Sequence, residues 1–229
     1  REGRHTTVSV LRRDGTLRLF NDGRPESGIS DGTPIFGPEL AMLGGLPSLL
    51  ARDTGNAMMI GLGAGHSTTM LLAGPWRHVD VVELEPAVVE AARKIHTMSG
   101  NPFPLDERAR ARLIVNDARA RLMMAGEDSY DAILSQPSHP WLAGTSALYT
   151  REFAAQARRC LRPGGVLALW VNLFRMETSL LRRVVATLQD AFPHVAAFVV
   201  EDSSFILVAS DEPIRLGQRA VERIDASPR

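Results

Sequence analysis

The chain has 229 residues, and 45% of them are hydrophobic, which is enough to bury one substantial core. Its 26 basic and 26 acidic residues give a formal net charge of zero, so no overall field attracts nucleic acid, and we expect no nucleic-acid partner. The single cysteine, Cys160, excludes an internal disulfide and a cysteine-based zinc site. We expect it to be a buried apolar thiol, and we expect no metal. No apolar run approaches the roughly 20 residues that cross a bilayer, and we expect a cytoplasmic protein.

The N-terminal region, residues 1–36, predicts a small β-hairpin appendage and a linker. Two strand-like segments, 6–11 and 16–20, flank an Asp-Gly pair at 14–15, which is a favoured hairpin turn. A second turn signal, Asn-Asp-Gly, follows the second segment. Residues 28–37 are rich in glycine, proline and serine, which indicates a linker or a mobile gate.

Residues 37–212 predict one Rossmann-like domain, followed by a polar tail at 213–229 that frays. After a helix at 38–50, strands and helices alternate, as in a parallel sheet covered on both faces. The predicted strands are 57–61, 79–83, 112–115, 131–135, 165–171, 195–200 and 204–209. The further predicted helices are 66–73, 86–96, 118–124, 150–160 and 177–191. The last two strands are too close for a crossover helix and must pair antiparallel, so we predict the α/β class I methyltransferase fold, with ligands at the carboxyl ends of the strands.

The first strand of this domain runs into a glycine turn, residues 61–65, with glycine at Gly61, Gly63 and Gly65. Glycine permits the close approach of a ligand, and N–H groups at the following helix start attract polar ligand atoms. The second strand ends in Glu83, whose carboxylate can accept both hydrogen bonds of a ribose diol. Together these features predict an adenosine cofactor.

The glycine spacing separates two kinds of adenosine cofactor. The dinucleotide fingerprint G-x-G-x-x-G would need glycine at position 66, where the chain has His66. The observed spacing, G-x-G-x-G, favours S-adenosylmethionine, which has no pyrophosphate, over NAD. We expect His66, at the helix start, to line the site.

The ends of the third and fourth strands supply the other candidate residues. Asp117 can accept a hydrogen bond from an adenine amino group while the N–H of Ala118 meets the ring; the alternative is that Asp117 only caps the next helix. Gln136 and His139 follow the fourth strand and are the candidate catalytic residues. His139 is either a general base near neutral pH or a surface histidine. Trp141 either anchors this loop or stacks on a ligand.

These segments resemble the spermidine synthase family of aminopropyltransferases, and most closely the bacterial spermidine-synthase-like domains, some of which are fused to membrane transporter segments. The resemblance implies a Rossmann-like domain with an N-terminal β domain, often a dimer, and transfer of an aminopropyl group from decarboxylated S-adenosylmethionine to putrescine. The first residue is Arg1 rather than Met, which is compatible with an upstream membrane segment. The resembling segments span most of the chain and are the N-terminal strands, 60–65, 81–85, 116–118, 130–134, 147–153 and 161–165.

The chain departs from this family at three acidic positions. The family has an aspartate in the glycine turn where this chain has Ala64, and two more after the fourth strand where it has Gln136 and His139. Their loss removes the charge that offsets desolvation of a diamine. We therefore expect the acidic acceptor site to be lost while Glu83 and Asp117 keep the nucleoside half. With alanine in the turn, the carboxylate of S-adenosylmethionine is no longer repelled.

The leading hypothesis is a spermidine-synthase-like transferase that binds S-adenosylmethionine or its decarboxylated form. A small-molecule acceptor, an amine by resemblance, attacks a carbon next to the sulfonium, with Gln136 and His139 aligning it. Aminopropyl transfer, methyl transfer and intramolecular cleavage of the cofactor stay open at this point. So do a non-catalytic nucleoside-binding regulatory domain and an NAD-dependent reductase. Glu201 and Asp202, in the last hairpin, are candidates to supply replacement charge.

Overall fold

The computed structural model contains two β-sheets and seven α-helices among the residues that it describes. None of these helices is long and apolar enough to cross a membrane. The described residues are 2–3, 6–30, 33–34, 37–106, 110–137, 145–173, 176–201 and 204–225.

The N-terminal region forms a four-stranded antiparallel sheet rather than a single hairpin. Its strands, in the order in which they pair, are β1 (Val8–Arg13), β2 (Thr16–Asn21), β3 (Arg24–Ser30) and β4 (Thr33–Pro34). Asp14 and Gly15 both have positive φ, 49° and 76°, as a tight two-residue hairpin turn requires. The predicted hairpin is thus present, and a second turn at Asp22 and Gly23 adds β3 to it.

The larger sheet contains seven strands and follows the predicted pattern. Its strands are β5 (Asn56–Ile60), β6 (His78–Glu83), β7 (Ala111–Val115), β8 (Tyr130–Ser135), β9 (Leu161–Asn172), β10 (His194–Glu201) and β11 (Ser204–Ser210). They pair in the order β10-β11-β9-β8-β5-β6-β7. Strands β5 to β9 pair in parallel, whereas β11 is antiparallel to both of its neighbours. The predicted fold class, with its antiparallel final hairpin, is confirmed.

Helices cover both faces of the larger sheet. They are α1 (Pro38–Leu50), α2 (His66–Ala73), α3 (Pro86–Ser99), α4 (Ala118–Met124), α5 (Arg151–Cys160), α6 (Thr178–Ala191) and α7 (Gln218–Asp225). Met58 and Ile133 pack on one face in a cluster with residues of α5 and α6. Met59 and Leu134 pack on the other face with α1 and α2. These four side chains are fully buried, as a parallel sheet covered on both faces requires.

The predicted linker or gate at 28–37 is wrong for its first residues. Gly28, Ile29 and Ser30 belong to β3, and Ile29 is buried against α3 in a small core of its own. A Cβ on Gly28 would lie 2.4 Å from the backbone oxygen of Leu17, so this glycine permits close strand packing rather than movement. Residues 31–32 and 35–36 lie outside the described residues.

The prediction of a fraying tail is also wrong for residues 218–225, which form α7. Ala220 is buried, and the Arg223 guanidinium donates hydrogen bonds to the carbonyl oxygens of Ser48 at 2.5 Å and Ala51 at 2.8 Å. The guanidinium therefore fastens α7 to the end of α1. A helix this short and polar gives little signal in the sequence. The arginine that anchors it bonds to an element far away in the chain, and local spacing does not reveal such a partner.

Candidate functional site

The glycine turn lies at the carboxyl end of β5, between β6 and β8. Gly61, Gly63 and Gly65 all have positive φ, at 91°, 54° and 87°, which other residues rarely adopt. Space is also short: a Cβ on Gly61 would lie 3.2 Å from the backbone oxygen of Gln136, and one on Gly65 would lie 2.9 Å from Cγ of Pro104. Glycine is therefore required here both by conformation and by close neighbours.

Glu83 at the end of β6 holds the glycine turn. One carboxylate oxygen accepts the backbone N–H of Leu62 at 2.8 Å, and the other accepts that of Glu85 at 2.9 Å. The residue is 8% exposed, and burial raises the pKa of its carboxyl against the opposing hydrogen bonds from the Glu85, Leu62 and Leu84 N–H groups. A carboxylate has about four acceptor sites, so these three N–H groups leave capacity for a ribose hydroxyl. The structure brings Glu83 to the turn; its role towards ribose stays a prediction.

Asp117 follows β7 at the same edge of the sheet. Its Oδ1 accepts the N–H of Ala120 at 2.9 Å, so the side chain caps α4, as one of the two sequence interpretations expects. The N–H of Asn116 donates to the backbone oxygen of Glu83 at 3.0 Å, which places this segment beside the ribose candidate. Ala118 is buried at the first position of α4. A cap uses one carboxylate oxygen, so adenine recognition by Asp117 and Ala118 stays a prediction.

The candidate catalytic residues follow β8. The N–H of Gln136 donates to the backbone oxygen of Ile60 at 3.1 Å, which holds this residue beside the glycine turn, and its side chain is half-buried. His139, Trp141 and Asp202 lie outside the described residues, as does the side chain of Glu201. Of these candidates, the structure therefore places Gln136 at the site.

Sequence reasoning missed two residues that bond the backbone of the glycine turn. Oγ of Ser27, in β3, accepts the N–H of Ala64 at 3.0 Å, and Nε2 of His96, in α3, donates to the oxygen of Ala64 at 2.9 Å. These partners are separated by 37 and 32 residues, so no local spacing could have revealed them. The polypeptide on both sides of Ala64 is thus held by side chains from other elements.

His66 makes a further link to the N-terminal sheet. Its Nε2 lies 2.8 Å from the backbone oxygen of Gly28 and must carry the proton, because its partner is a carbonyl. The ring is 3% exposed, and burial lowers its pKa, with a further lowering from His96. His66 therefore lies buried next to the turn as a neutral imidazole, and its ring is not exposed to a cleft.

A segment after α3 covers Gly65 and His96. Phe103 is buried, with its ring 5.6 Å from that of His96 in an edge-to-face arrangement. The Arg93 guanidinium lies 4.3 Å from the centre of the Phe103 ring and also pairs with Asp106 at 2.6 Å. This segment thus stabilises the imidazole that holds Ala64.

Comparisons with known proteins show similarity in sequence and in fold. A family model described as the spermine/spermidine synthase domain matches residues 39–202. A polyamine aminopropyltransferase of Nitrosomonas europaea is 31% identical over 159 residues, which cover 67% of this chain and 46% of that protein. Putrescine N-methyltransferase 2 of Nicotiana tabacum is 26% identical over 156 residues, which cover 68% and 43%. The chain therefore spans less than half the length of these curated relatives.

The fold is shared with a solved structure of low sequence identity. The crystal structure of spermidine synthase from Thermotoga maritima superposes with a TM-score of 0.80 at 16% identity. The match covers 99% of this chain and 76% of that one, so it includes the N-terminal sheet as well as the larger sheet.

Proposed function

Because this chain belongs to the spermine/spermidine synthase family, as its sequence resemblance predicts, we propose that it is a transferase with an adenosyl sulfonium donor. The preferred donor is S-adenosylmethionine itself, and the transferred group is its methyl. Glu83 binds the ribose, Asp117 and Ala118 meet the adenine, and the glycine turn faces the sulfonium tail.

The observation that carries this choice of donor is the environment of Ala64. The residue is 1% exposed, and the side chains that bond its peptide groups, Ser27 and His96, are a hydroxyl and an imidazole. A decarboxylated tail ends in an ammonium group, which needs a carboxylate when it leaves water. A complete amino-acid tail brings its own carboxylate, and the uncapped start of α2 at Gly65 favours negative charge.

Methyl transfer then requires only alignment and removal of one proton. The lone pair of the acceptor nitrogen attacks the methyl carbon in line with the carbon–sulfur bond, and the electrons of that bond move to sulfur, leaving S-adenosylhomocysteine. Gln136, beside the turn, aligns the acceptor, and His139 takes the proton that the nitrogen loses. With neutral residues at the two family acceptor positions, the acceptor is an amine of lower charge than a diamine dication.

Aminopropyl transfer is the second candidate function. It is favoured by the relative of 31% identity, which is named a polyamine aminopropyltransferase. In that reaction the acceptor attacks the propyl carbon next to sulfur, and methylthioadenosine is the leaving group. The two reactions therefore differ in donor and in nucleoside product.

Calorimetry with both donors, followed by product analysis against a panel of amines, tests the proposal. We expect tighter binding of S-adenosylmethionine, with S-adenosylhomocysteine and a methylated amine as products. Methylthioadenosine with an aminopropylated amine would establish the second candidate. Methylthioadenosine alone would indicate cleavage of the cofactor. Binding without turnover would indicate a regulatory domain, and thermal protection by NAD alone would indicate a reductase.

Ala64→Asp sharpens this test, because it restores the acidic position of the family. We expect the ratio of the two dissociation constants to move about tenfold towards the decarboxylated donor, the size of one charge-assisted hydrogen bond. Ala64→Asn has the same shape without the charge and is the matched control. An equal ratio in both variants would contradict the proposed role of position 64 in selecting the donor.

A further inference from the structure

The N-terminal sheet contacts the glycine turn through two consecutive residues. Ser27 accepts the N–H of Ala64, and the carbonyl of Gly28 accepts Nε2–H of His66. These bonds reach the end of the turn and the first residue of α2, on either side of Gly65. The N-terminal sheet also packs on α3 through a separate apolar core. A sheet that only stabilised the fold could rely on that core and would not need the bonds to the turn.

Ser27 also lies close to the turn at a second point. A Cβ on Gly63 would lie 3.6 Å from Oγ of Ser27, so the hydroxyl that bonds to Ala64 also lies beside Gly63. On its own sheet, Ser27 pairs with Leu19, which is fully buried. The hydroxyl is therefore presented to the turn from a strand whose pairing partner lies in the core.

The strand is irregular just before this contact. Pro25 pairs with Phe20 and Ser27 pairs with Leu19, so Glu26 is an extra residue that forms a β-bulge. Bulges bend a strand and re-aim its side chains, and they are frequent beside active sites. Here the bulge immediately precedes the two residues that bond to the turn.

We infer that Ser27, in the N-terminal sheet, is a positioning residue for the sulfonium donor, because its hydroxyl fixes the Ala64 peptide of the glycine turn. This inference depends on the proposed function. It predicts that donor affinity falls when the hydroxyl is removed. This fall should exceed the fall in affinity caused by removing a hydrogen bond elsewhere in the same strand.

Ser30 provides the matched control. It lies three residues further along β3, and its Oγ is 3.1 Å from Oγ1 of Thr16, within the N-terminal sheet. Ser27→Ala and Ser30→Ala each remove one hydroxyl and one hydrogen bond from this strand, but only the first bond reaches the turn. Ser27→Thr keeps a hydroxyl, and Ser27→Cys keeps the volume with a weak acceptor.

Calorimetric titration of S-adenosylmethionine into these variants tests the inference. We expect the dissociation constant to rise about fivefold to tenfold in Ser27→Ala. Ser27→Cys should follow it, whereas Ser27→Thr and Ser30→Ala should stay within about twofold of the wild type. Hydrogen exchange at the Ala64 amide should accelerate in Ser27→Ala and not in Ser30→Ala.

Each outcome decides the inference. Equal affinity in Ser27→Ala and Ser30→Ala, with the wild type binding, would overturn it and leave the proposed function intact. If the wild type binds neither S-adenosylmethionine nor its decarboxylated form, the proposed function fails and the inference fails with it. If Ser27→Ala does not fold, Ser27→Cys decides: wild-type affinity in that variant would overturn the inference.

Discussion

The two edges of the larger sheet are held together in different ways. At the carboxyl edge, where β5 and β6 end, the glycine turn is bonded by Glu83, Ser27 and His96. At the amino edge, where these strands begin, arginines bond the carbonyl oxygens that end four helices. Arg223 bonds to the end of α1, Arg110 to the end of α2, Arg159 to the end of α4 and Arg158 to the end of α6.

The arginine bonds at the amino edge replace the usual glycine caps. The residues that follow these four helices have negative φ, so none of them ends in the left-handed conformation that satisfies the last carbonyls. A guanidinium satisfies the carbonyls and also balances the negative end of the helix dipole. The amino edge is therefore fixed by charge, whereas the carboxyl edge uses a carboxylate, a hydroxyl and an imidazole around a glycine turn.

A cavity at the amino edge fits this division of roles. It has a volume of about 640 Å³ and is bordered by Arg110, Arg112, Arg121 and Arg162. Each of these guanidinium groups already bonds a protein oxygen. These arginines thus hold the edge together through their bonds to protein oxygens, and ligand chemistry is expected at the other edge.

The largest expected effect at the carboxyl edge follows from Glu83→Ala. The N–H groups of Leu62 and Glu85 lose their buried acceptor, which we expect to lower the free energy of unfolding by about 1–3 kcal/mol for each group. Binding of S-adenosylmethionine should fall below detection, because the ribose loses its partner. Urea denaturation and thermal shift with the donor measure the two effects. Undiminished protection by the donor would contradict the ribose role of Glu83.

Arg110→Ala should have the corresponding effect at the amino edge, on stability alone. The guanidinium bonds the carbonyl oxygens of Leu72, Gly74 and Trp76, and its loss should lower the free energy of unfolding by about 1–3 kcal/mol. Donor affinity should not change. Arg112→Ala is the control on the same edge: its side chain is 65% exposed and pairs with Asp80, so we expect about 0–1 kcal/mol.

A change in donor affinity in Arg110→Ala, measured by calorimetry, would contradict the separation of the two edges. It would mean that the end of α2 transmits its position to the glycine turn at the start of the same helix. Equal destabilisation by Arg110→Ala and Arg112→Ala would instead show that the arginine caps contribute no more than surface ion pairs.

The contrast between the edges also explains what could be predicted from the sequence. Gly61 and Glu83 were predictable because each stands at the end of an apolar strand, and local spacing encodes that position. Ser27 and Arg223 were not, because each bonds to a backbone group far away in the chain, and hydroxyl and guanidinium groups are ordinary on surfaces. The site's backbone support therefore required the three-dimensional structure, whereas its outline did not.

The smallest expected effect concerns the pH dependence of stability through His66. Burial holds its pKa below the ordinary value of 6.5, so the folded protein keeps the ring neutral while the unfolded chain takes up a proton as the pH falls through that value. Stability should therefore decrease on acidification below about pH 6.5. His66→Gln keeps an Nε donor for the Gly28 carbonyl but does not titrate. Urea denaturation from neutral pH into this range should show a shallower decline in the free energy of unfolding for the variant than for the wild type. Parallel curves would mean that protonation of the buried imidazole does not contribute to the pH dependence of stability.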